Sequence, residues 1–360
     1  MALGIIALGI GIPVLQAITG EAPADGAAPV APLDRPIRLA AVGDTVMGSP
    51  PYGLPPDGGR TLFAAVKPLL VGDVVLGNLE GTLSTGGSSK CGRTPGPNCF
   101  AFRMPPSYRR WLKTAGFTVM TLANNHADDF GAIGRSQTCA NLARAGIRGT
   151  GWPGSIAYLP VAGGNVAVLG FAPNDVSNSM LDIPGARKLV AKAAAKAPVV
   201  IVTVHAGAEG SAADHVRPGT ETFLGENRGD SLRFAHAVVD AGADIVVMHG
   251  PHVMRGLEFY KGTPIAYSMG NFMGYAVFSL NGNKKQSAVL DVTLGPDGAF
   301  VSGRLRPVTL VGKGVPRPGG TIVPRVRALS VQDFGKNAAV VAPRGAISPP
   351  GAPSVPAPPP

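Results

Sequence analysis

The chain has 360 residues, 45% hydrophobic and 15% charged, which suits one large α/β domain or two modest ones and excludes a globally disordered polypeptide. Its formal charge of +10 favours anionic partners such as phosphoesters, polycarboxylates or an acidic envelope surface. Nucleic acid is not expected: the basic residues are scattered and aromatics are 6% of the chain, so no basic stripe carries stacking rings.

The chain opens with "MALGIIALGIGIPVLQAITG", an apolar stretch, followed by the Ala/Pro-rich "EAPADGAAPVAPLDRP". Together, residues 1–35 read as a signal peptide or signal anchor plus linker, although no basic residue precedes the apolar run. A buried core helix is the competing reading, and Gly9, Gly11 and Pro13 disfavour it. Export makes the protein extracytoplasmic, either secreted or tethered to the membrane through this segment.

From Ile37 onward, "IRLAAV", "DVVLGN", "FTVMTLA", "NVAVLGF", "PVVIVTV" and "ADIVVM" read as strands. Between them lie the amphipathic segments "TLFAAVKPLL", "YRRWLKTAG", "RSQTCANLARAG", "RKLVAKAAAKA" and "SLRFAHAVVDAG", three of which stop at Gly116, Gly146 and Gly242. This alternation predicts an α/β fold, a mainly parallel sheet flanked by helices. After Met254 the pattern turns to strands without helices, an antiparallel completion of the same domain, which spans 36–310. Residues 311–345 form a C-terminal extension, and 346–360, "AISPPGAPSVPAPPP", a disordered tail.

Of three cysteines, Cys91 and Cys99 flank a short Pro/Gly loop and predict a disulfide, which fits an oxidising compartment. Two-cysteine metal binding would need further ligands nearby, and none is present. Cys139, inside a helical pattern, reads as a buried free thiol.

Polar residues collect behind the apolar runs. "LAAV" leads to Asp44, "DVVLG" to Asn78-Leu79-Glu80, "FTVMTLA" to Asn124-Asn125-His126, "VVIVTV" to His205, and "ADIVVM" to His249 and His252. Carboxyl ends of parallel strands share one edge, so these side chains are expected to converge in a crevice. A lone histidine is more often a hydrogen-bonded structural residue, the reading kept for His215 and His236; four behind strands point to a site. Carboxylates, amides and imidazoles without thiolate suit two divalent cations of Mn, Zn or Fe, because the set exceeds what one tetrahedral metal needs. Arg255, just past His252, is a candidate partner for an anionic substrate group. "AYSMG" around Ser268 is a poor nucleophile elbow, lacking its first glycine and a following helix. No Gly-rich phosphate loop occurs.

The motifs "AVGDTVMGS", "GNLEGTLS", "TLANNHADDFG", "VTVHAGAEG" and "HGPHVMRGLEFYKGTPIAYSMGNF" resemble, in order, those of the bacterial capsule-synthesis CapA proteins. These are linked to poly-γ-glutamate capsules, and their domain is similar to calcineurin-like metallophosphoesterases. The resemblance covers about residues 37 to 275 and implies a metallo-dependent phosphatase-like layered sandwich. It also implies metal ligation by Asp44, Glu80, Asn125, His205 and His252, with His249 adjacent or ligating. His126 matches the histidine that protonates a leaving oxygen beside the metals. The sequence departs from the wider superfamily in placing Thr45-Val46 after Asp44 where D-x-H is usual, and Glu80 where an aspartate stands. It departs from the CapA pattern in Ala206, where a tryptophan is common; Glu209 is retained.

These readings lead to a secreted or membrane-tethered metal-dependent hydrolase acting on a phosphoester or similar anionic bond. Its partners would be an anionic polymer or phosphoester substrate and the cell-envelope or capsule assembly machinery. The rival is an accessory protein that binds a polyanion without turnover. A serine esterase acting through Ser268 is a third reading.

Overall fold

The computed structural model describes residues 30–94 and 96–352; the leader-like run at 1–29 and the last eight residues lie outside them. In chain order the larger elements are β1 (Ile37–Val46), β2 (Val74–Leu79), α1 (Arg109–Ala115), β3 (Val119–Thr121), α2 (Gly131–Arg144), β4 (Arg148–Thr150), β5 (Ala157–Val161) and β6 (Gly164–Phe171). There follow α3 (Ile183–Ala194), β7 (Val199–His205), α4 (Ser231–Val239), β8 (Ile245–His249), β9 (Leu257–Tyr260), β10 (Thr263–Ala266) and β11 (Asn271–Gly274). The chain ends with β12 (Gln286–Leu294), β13 (Phe300–Val311), β14 (Val315–Pro318), α5 (Ile322–Phe334), β15 (Val340–Val341) and β16 (Ala346–Ser348).

The strands form two facing mixed sheets. The first runs β15-β16-β13-β12-β1-β2-β3-β4, with β11 also pairing β1 and β14 pairing β13. The second runs β9-β10-β8-β7-β6-β5. In each, the strands with helical crossovers are parallel, namely β1 to β4 and β6-β7-β8-β10. Hairpin-connected strands add antiparallel edges, as the change of pattern after Met254 predicts, but they divide between the sheets: β9 and β10 join the second, β12 to β14 the first.

Strand alternation sorts side chains between layers. Leu39, Ala41 and Leu76 face inward against Val168, Ile201 and Val247 of the second sheet. Their neighbours Ala40, Val42 and Val75 face outward under Leu112 of α1 and Leu142 of α2. Likewise Ala167, Val200 and Val246 meet Val190 of α3 and Phe234 of α4 on the far side. Each fully buried Val, Leu or Ile contributes about 1.5–3 kcal/mol. Ile322, Val323 and Val326 of α5, together with Val341 and Ile347, join the inter-sheet layer. Ala346–Ser348, at the start of the expected tail, is therefore a strand, because Ile347 has a core to enter. Leu33, within the expected linker, is also buried there and its amide donates to Pro296 O at 2.9 Å.

Gly116 caps α1 directly at φ 113°, and Asp182 and Asp230 cap α3 and α4 by accepting from Gly185 N and Arg233 N. One amphipathic segment fails to become an α-helix: "TLFAAVKPLL" is turns ending in a 3-10 turn, Lys67–Leu69, where Pro68 removes the donor a longer helix would need. Cys91 and Cys99 are bonded and Cys139 is free, as expected, though the latter is only half-buried. Among the described residues, no helix is long and apolar enough to cross a membrane.

Candidate metal centre

The carboxyl ends of β1, β2, β3, β7 and β8 meet at one edge between the sheets and carry Asp44, Glu80, the 124–126 turn, His205 and His249 into contact. β1 can deliver Asp44 because Gly43 has no side chain: a Cβ there would stand 1.8 Å from Gly270 O, whose carbonyl accepts from the Asp44 amide at 2.9 Å. The turn after β8 brings in His252, held in the left-handed region at φ 59°, a conformation that costs a non-glycine residue energy and that clusters at functional sites.

Asp44, Glu80 and His252 each offer a ligand atom within 4.8 Å of the others. His252 Nδ1 lies 3.2 Å from Asp44 Oδ2, and its Nε2 lies 3.6 Å from Glu80 Oε1 and 3.5 Å from Glu209 Oε2. His205 approaches the same two carboxylates at 3.9 Å from each, and His249 Nδ1 stands 3.8 Å from Asp44 Oδ1. Asp44, Glu80, His205 and His249 are fully buried.

Several polar atoms here are buried and have no protein partner: Asp44 Oδ2, both oxygens of Glu80, Asn125 Oδ1 and His249 Nδ1. Uncompensated carboxylate oxygens are expensive to bury, so a cluster of them with an imidazole nitrogen and an amide oxygen is a donor set that fits a divalent cation. The neighbours explain which atoms stay free. Asn124 spends its amide on Asn78 Oδ1 and Leu79 O and its own oxygen on the His126 amide, which leaves Asn125 as the available amide oxygen. Thr203 Oγ1 takes His249 Nε2 at 3.0 Å, and Asn271 Oδ1 takes His252 Nδ1 at 2.8 Å, leaving Nδ1 of the one and Nε2 of the other toward the site.

The electrostatics are those of crowded charge without a counterion. Burial pushes the Asp44 carboxyl up, but the hydrogen bond and charge of His252, with His205 and His249 beside it, outweigh that and hold it below the usual carboxylate range. Burial, with the charges of Asp44 and Glu209, carries Glu80 well above that range against the pull of His252. His249 is pushed down to about 4 by burial, and His205 well below its ordinary value by burial and the Arg228 charge. Burial opposes the charge on His252, yet Glu80, Asp44 and Glu209 together raise it. Glu209 falls to about 2: His252 and Arg228 overcome its burial.

His126 stands at the rim, its Nε2 4.0 Å from Glu80 Oε1 and its Nδ1 2.8 Å from Asp129 Oδ2. Asp129 also accepts from Phe102 N at 2.6 Å and pairs with Lys90 at 2.8 Å, so the carboxylate that orients His126 is itself fixed.

All six proposed metal ligands and His126 thus come together. Arg255 does not join them. Its guanidinium grips Glu221 at 2.8 and 2.6 Å and Ala213 O at 2.7 Å, fully buried. Its position in sequence beside His252 misleads because the strained turn sends the two side chains apart. Ser268 is buried, its Oγ accepting from Gly270 N, which leaves no exposed nucleophile. His236 pairs with Glu258 and His215 with Asp333, both structural as expected. Sequence reasoning missed Asn78, Asp129 and Arg228. The first two had a signal, Asn78 sharing the "GNLEG" turn with Glu80 and Asp129 lying three residues after His126; "ENRGD" around Arg228 had none.

Residues 38–276 match the family described as "Bacterial capsule synthesis protein PGA_cap". The chain is 30% identical over 261 residues to the "PGA biosynthesis protein CapA" of Bacillus subtilis (strain 168), covering 67% of this chain and 64% of that one. It is 31% identical over 226 residues to a "Probable polyglutamine synthesis accessory protein" of Mycobacterium tuberculosis, covering 55% of each. The chain therefore spans less than two thirds of the length of these relatives. Among solved structures, a 5'-nucleotidase precursor from Thermus thermophilus is similar at a TM-score of 0.43 and 15% identity, over 76% of this chain and 54% of that one.

Proposed function

The chain belongs to the bacterial capsule synthesis PGA_cap family, and from that premise we propose a metal-dependent hydrolase of capsule or poly-γ-glutamate-type polymer biosynthesis that cleaves a phosphoester or similar anionic bond. In this reading it works outside the cytoplasm with the envelope assembly machinery, in keeping with the Cys91–Cys99 bond. The observation that carries it is the set of buried, partnerless oxygens of Asp44, Glu80 and Asn125 beside the free nitrogen of His249.

Asp44, Glu80, Asn125, His249 and His252 would hold the cation. A divalent ion there supplies Lewis acidity, neutralising charge on the scissile group and making a water acidic enough to attack at neutral pH. The chain does the rest. His126, with Nδ1 engaged by Asp129, presents Nε2 to the site and delivers the proton to the leaving oxygen. Phe102, its ring centroid 4.3 Å from that of His126, shields this proton from bulk water. The test is metal content and hydrolysis of a phosphodiester such as bis(p-nitrophenyl) phosphate by purified protein: activity lost to chelator and restored by Mn or Zn is expected, and no bound divalent metal under any loading condition would end the reading.

A second reading, a polyanion-binding accessory protein, draws on Val46. It is fully buried and apolar two residues after Asp44, so this turn supplies no imidazole. His126→Ala separates the two, since an enzyme loses turnover while a binder keeps polymer affinity.

A further inference from the structure

The orientation of one imidazole follows from a chain of hydrogen bonds that begins at a backbone carbonyl. Leu79 O can only accept, so the Asn124 atom 2.9 Å from it is its Nδ2, which also donates to Asn78 Oδ1 at 2.9 Å. That sets the Asn78 amide, whose Nδ2 donates to Asp44 Oδ1 at 2.8 Å and to His205 Nδ1 at 3.1 Å. His205 Nδ1 is therefore the accepting nitrogen, and the ring proton sits on Nε2. Facing Nε2 at 3.3 Å is not an acceptor but Nη2 of Arg228. Two N–H donors point into the same space.

Arg228 is 1% exposed, and its Nε is buried without a partner. Its Nη1 pairs with Glu209 at 2.9 Å, the carboxylate that also reaches His252. On its open side is a cleft of ≈ 440 Å³ lined by Asn125, Asn174 and Glu226 among others, where Asn125 Oδ1 and Asn174 Oδ1 are also unpartnered. Charge closes the argument. Asp44, Glu80 and Glu209 carry three negative charges, Arg228 one positive, and a single dication brings the sum to zero; a second dication would leave two uncompensated positive charges in a buried site.

We propose that Arg228 and His205 form an oxyanion-binding pair standing where a second cation would otherwise sit, so that the centre holds one divalent metal and a fixed guanidinium. The pair receives an oxygen of a tetrahedral phosphoryl group or similar anion, with Arg228 neutralising it and His205 Nε2–H donating to it. This replaces the two-metal expectation of the sequence, and it rests on the hydrolase reading only in taking one cation at Asp44, Glu80 and His252.

The test counts metal in full-length protein loaded with Mn²⁺ and freed of unbound ion, by inductively coupled plasma mass spectrometry. One ion per chain is expected. Two per chain would overturn this proposal and leave the hydrolase reading intact; none would overturn both. A second arm titrates inorganic phosphate into the Mn-loaded protein by calorimetry. Arg228→Lys and Arg228→Gln should weaken phosphate binding tenfold or more with the count of one ion unchanged, and phosphate affinity equal to wild type in both folded variants would overturn the proposal.

Discussion

His126 Nδ1 and Asp129 Oδ2 lie 2.8 Å apart on one turn, with the carboxylate pinned from behind by Phe102 N and Lys90. The pair turns Nε2 of the ring toward Glu80 and fixes which nitrogen carries the mobile proton. His126→Gln should lower kcat for a phosphodiester by about 10²–10⁴-fold, and Asp129→Asn by a smaller factor, with metal content unchanged in both. Steady-state kinetics beside metal analysis checks this; unaltered kcat in His126→Gln would remove it as the proton donor.

Glu80 has both oxygens buried and unpartnered, so a bound cation should stabilise the fold through it. At a free cation concentration of about 100 times Kd the linkage is about 2.7 kcal/mol. Wild-type Tm should rise by several degrees on adding Mn²⁺, and Glu80→Gln should lose that rise while its metal-free form is no less stable than wild type, one buried charge having gone. An equal metal-dependent rise in the variant would place the cation elsewhere.

Asp244 lies far from the centre and links stability to pH. Burial pushes its carboxyl up to about 7, with Asp297 adding to the shift and the hydrogen bond from Val200 N, 2.7 Å, working against it. The unfolded group titrates near 3.9. Its native form thus holds a proton that the unfolded form gives up, so the contribution is complete below about pH 4 and is lost as pH rises through about 7. Asp244→Asn, which keeps an acceptor for Val200, should flatten the fall in Tm over that window; an unchanged slope would contradict the assignment.

Arg255, offered by the sequence as a substrate contact, is held instead to Glu221 inside the protein. Removing one partner of a buried ion pair costs about 3–5 kcal/mol. Arg255→Ala should show that loss in chemical denaturation, and a stable variant with raised KM alone would restore the substrate role.

What was legible in the sequence was periodicity and its punctuation. β-branched runs such as "PVVIVTV" and "ADIVVM", separated by amphipathic stretches, specified parallel strands with helical crossovers, and the polar residues behind them marked the edge where Asp44, Glu80, His126, His205, His249 and His252 meet. The allocation of late strands between two sheets was not legible, because "MRGLEFY" and "SAVLDVTLG" alternate alike and only packing decides which sheet takes each. Neither was Arg228, which reaches the centre on a loop with no periodic pattern, nor the inward turn of Arg255, which depends on the backbone at His252 adopting φ 59°. Asn78 was in view but overshadowed by the carboxylate two residues on.

The central claim is that groups from separate strand ends share one cation. Anomalous diffraction at the manganese edge from crystals grown with Mn²⁺ tests it most directly. The account predicts a peak within bonding distance of Asp44, Glu80 and His252; a well-ordered site with no peak there, or a peak on another face of the molecule, would contradict it.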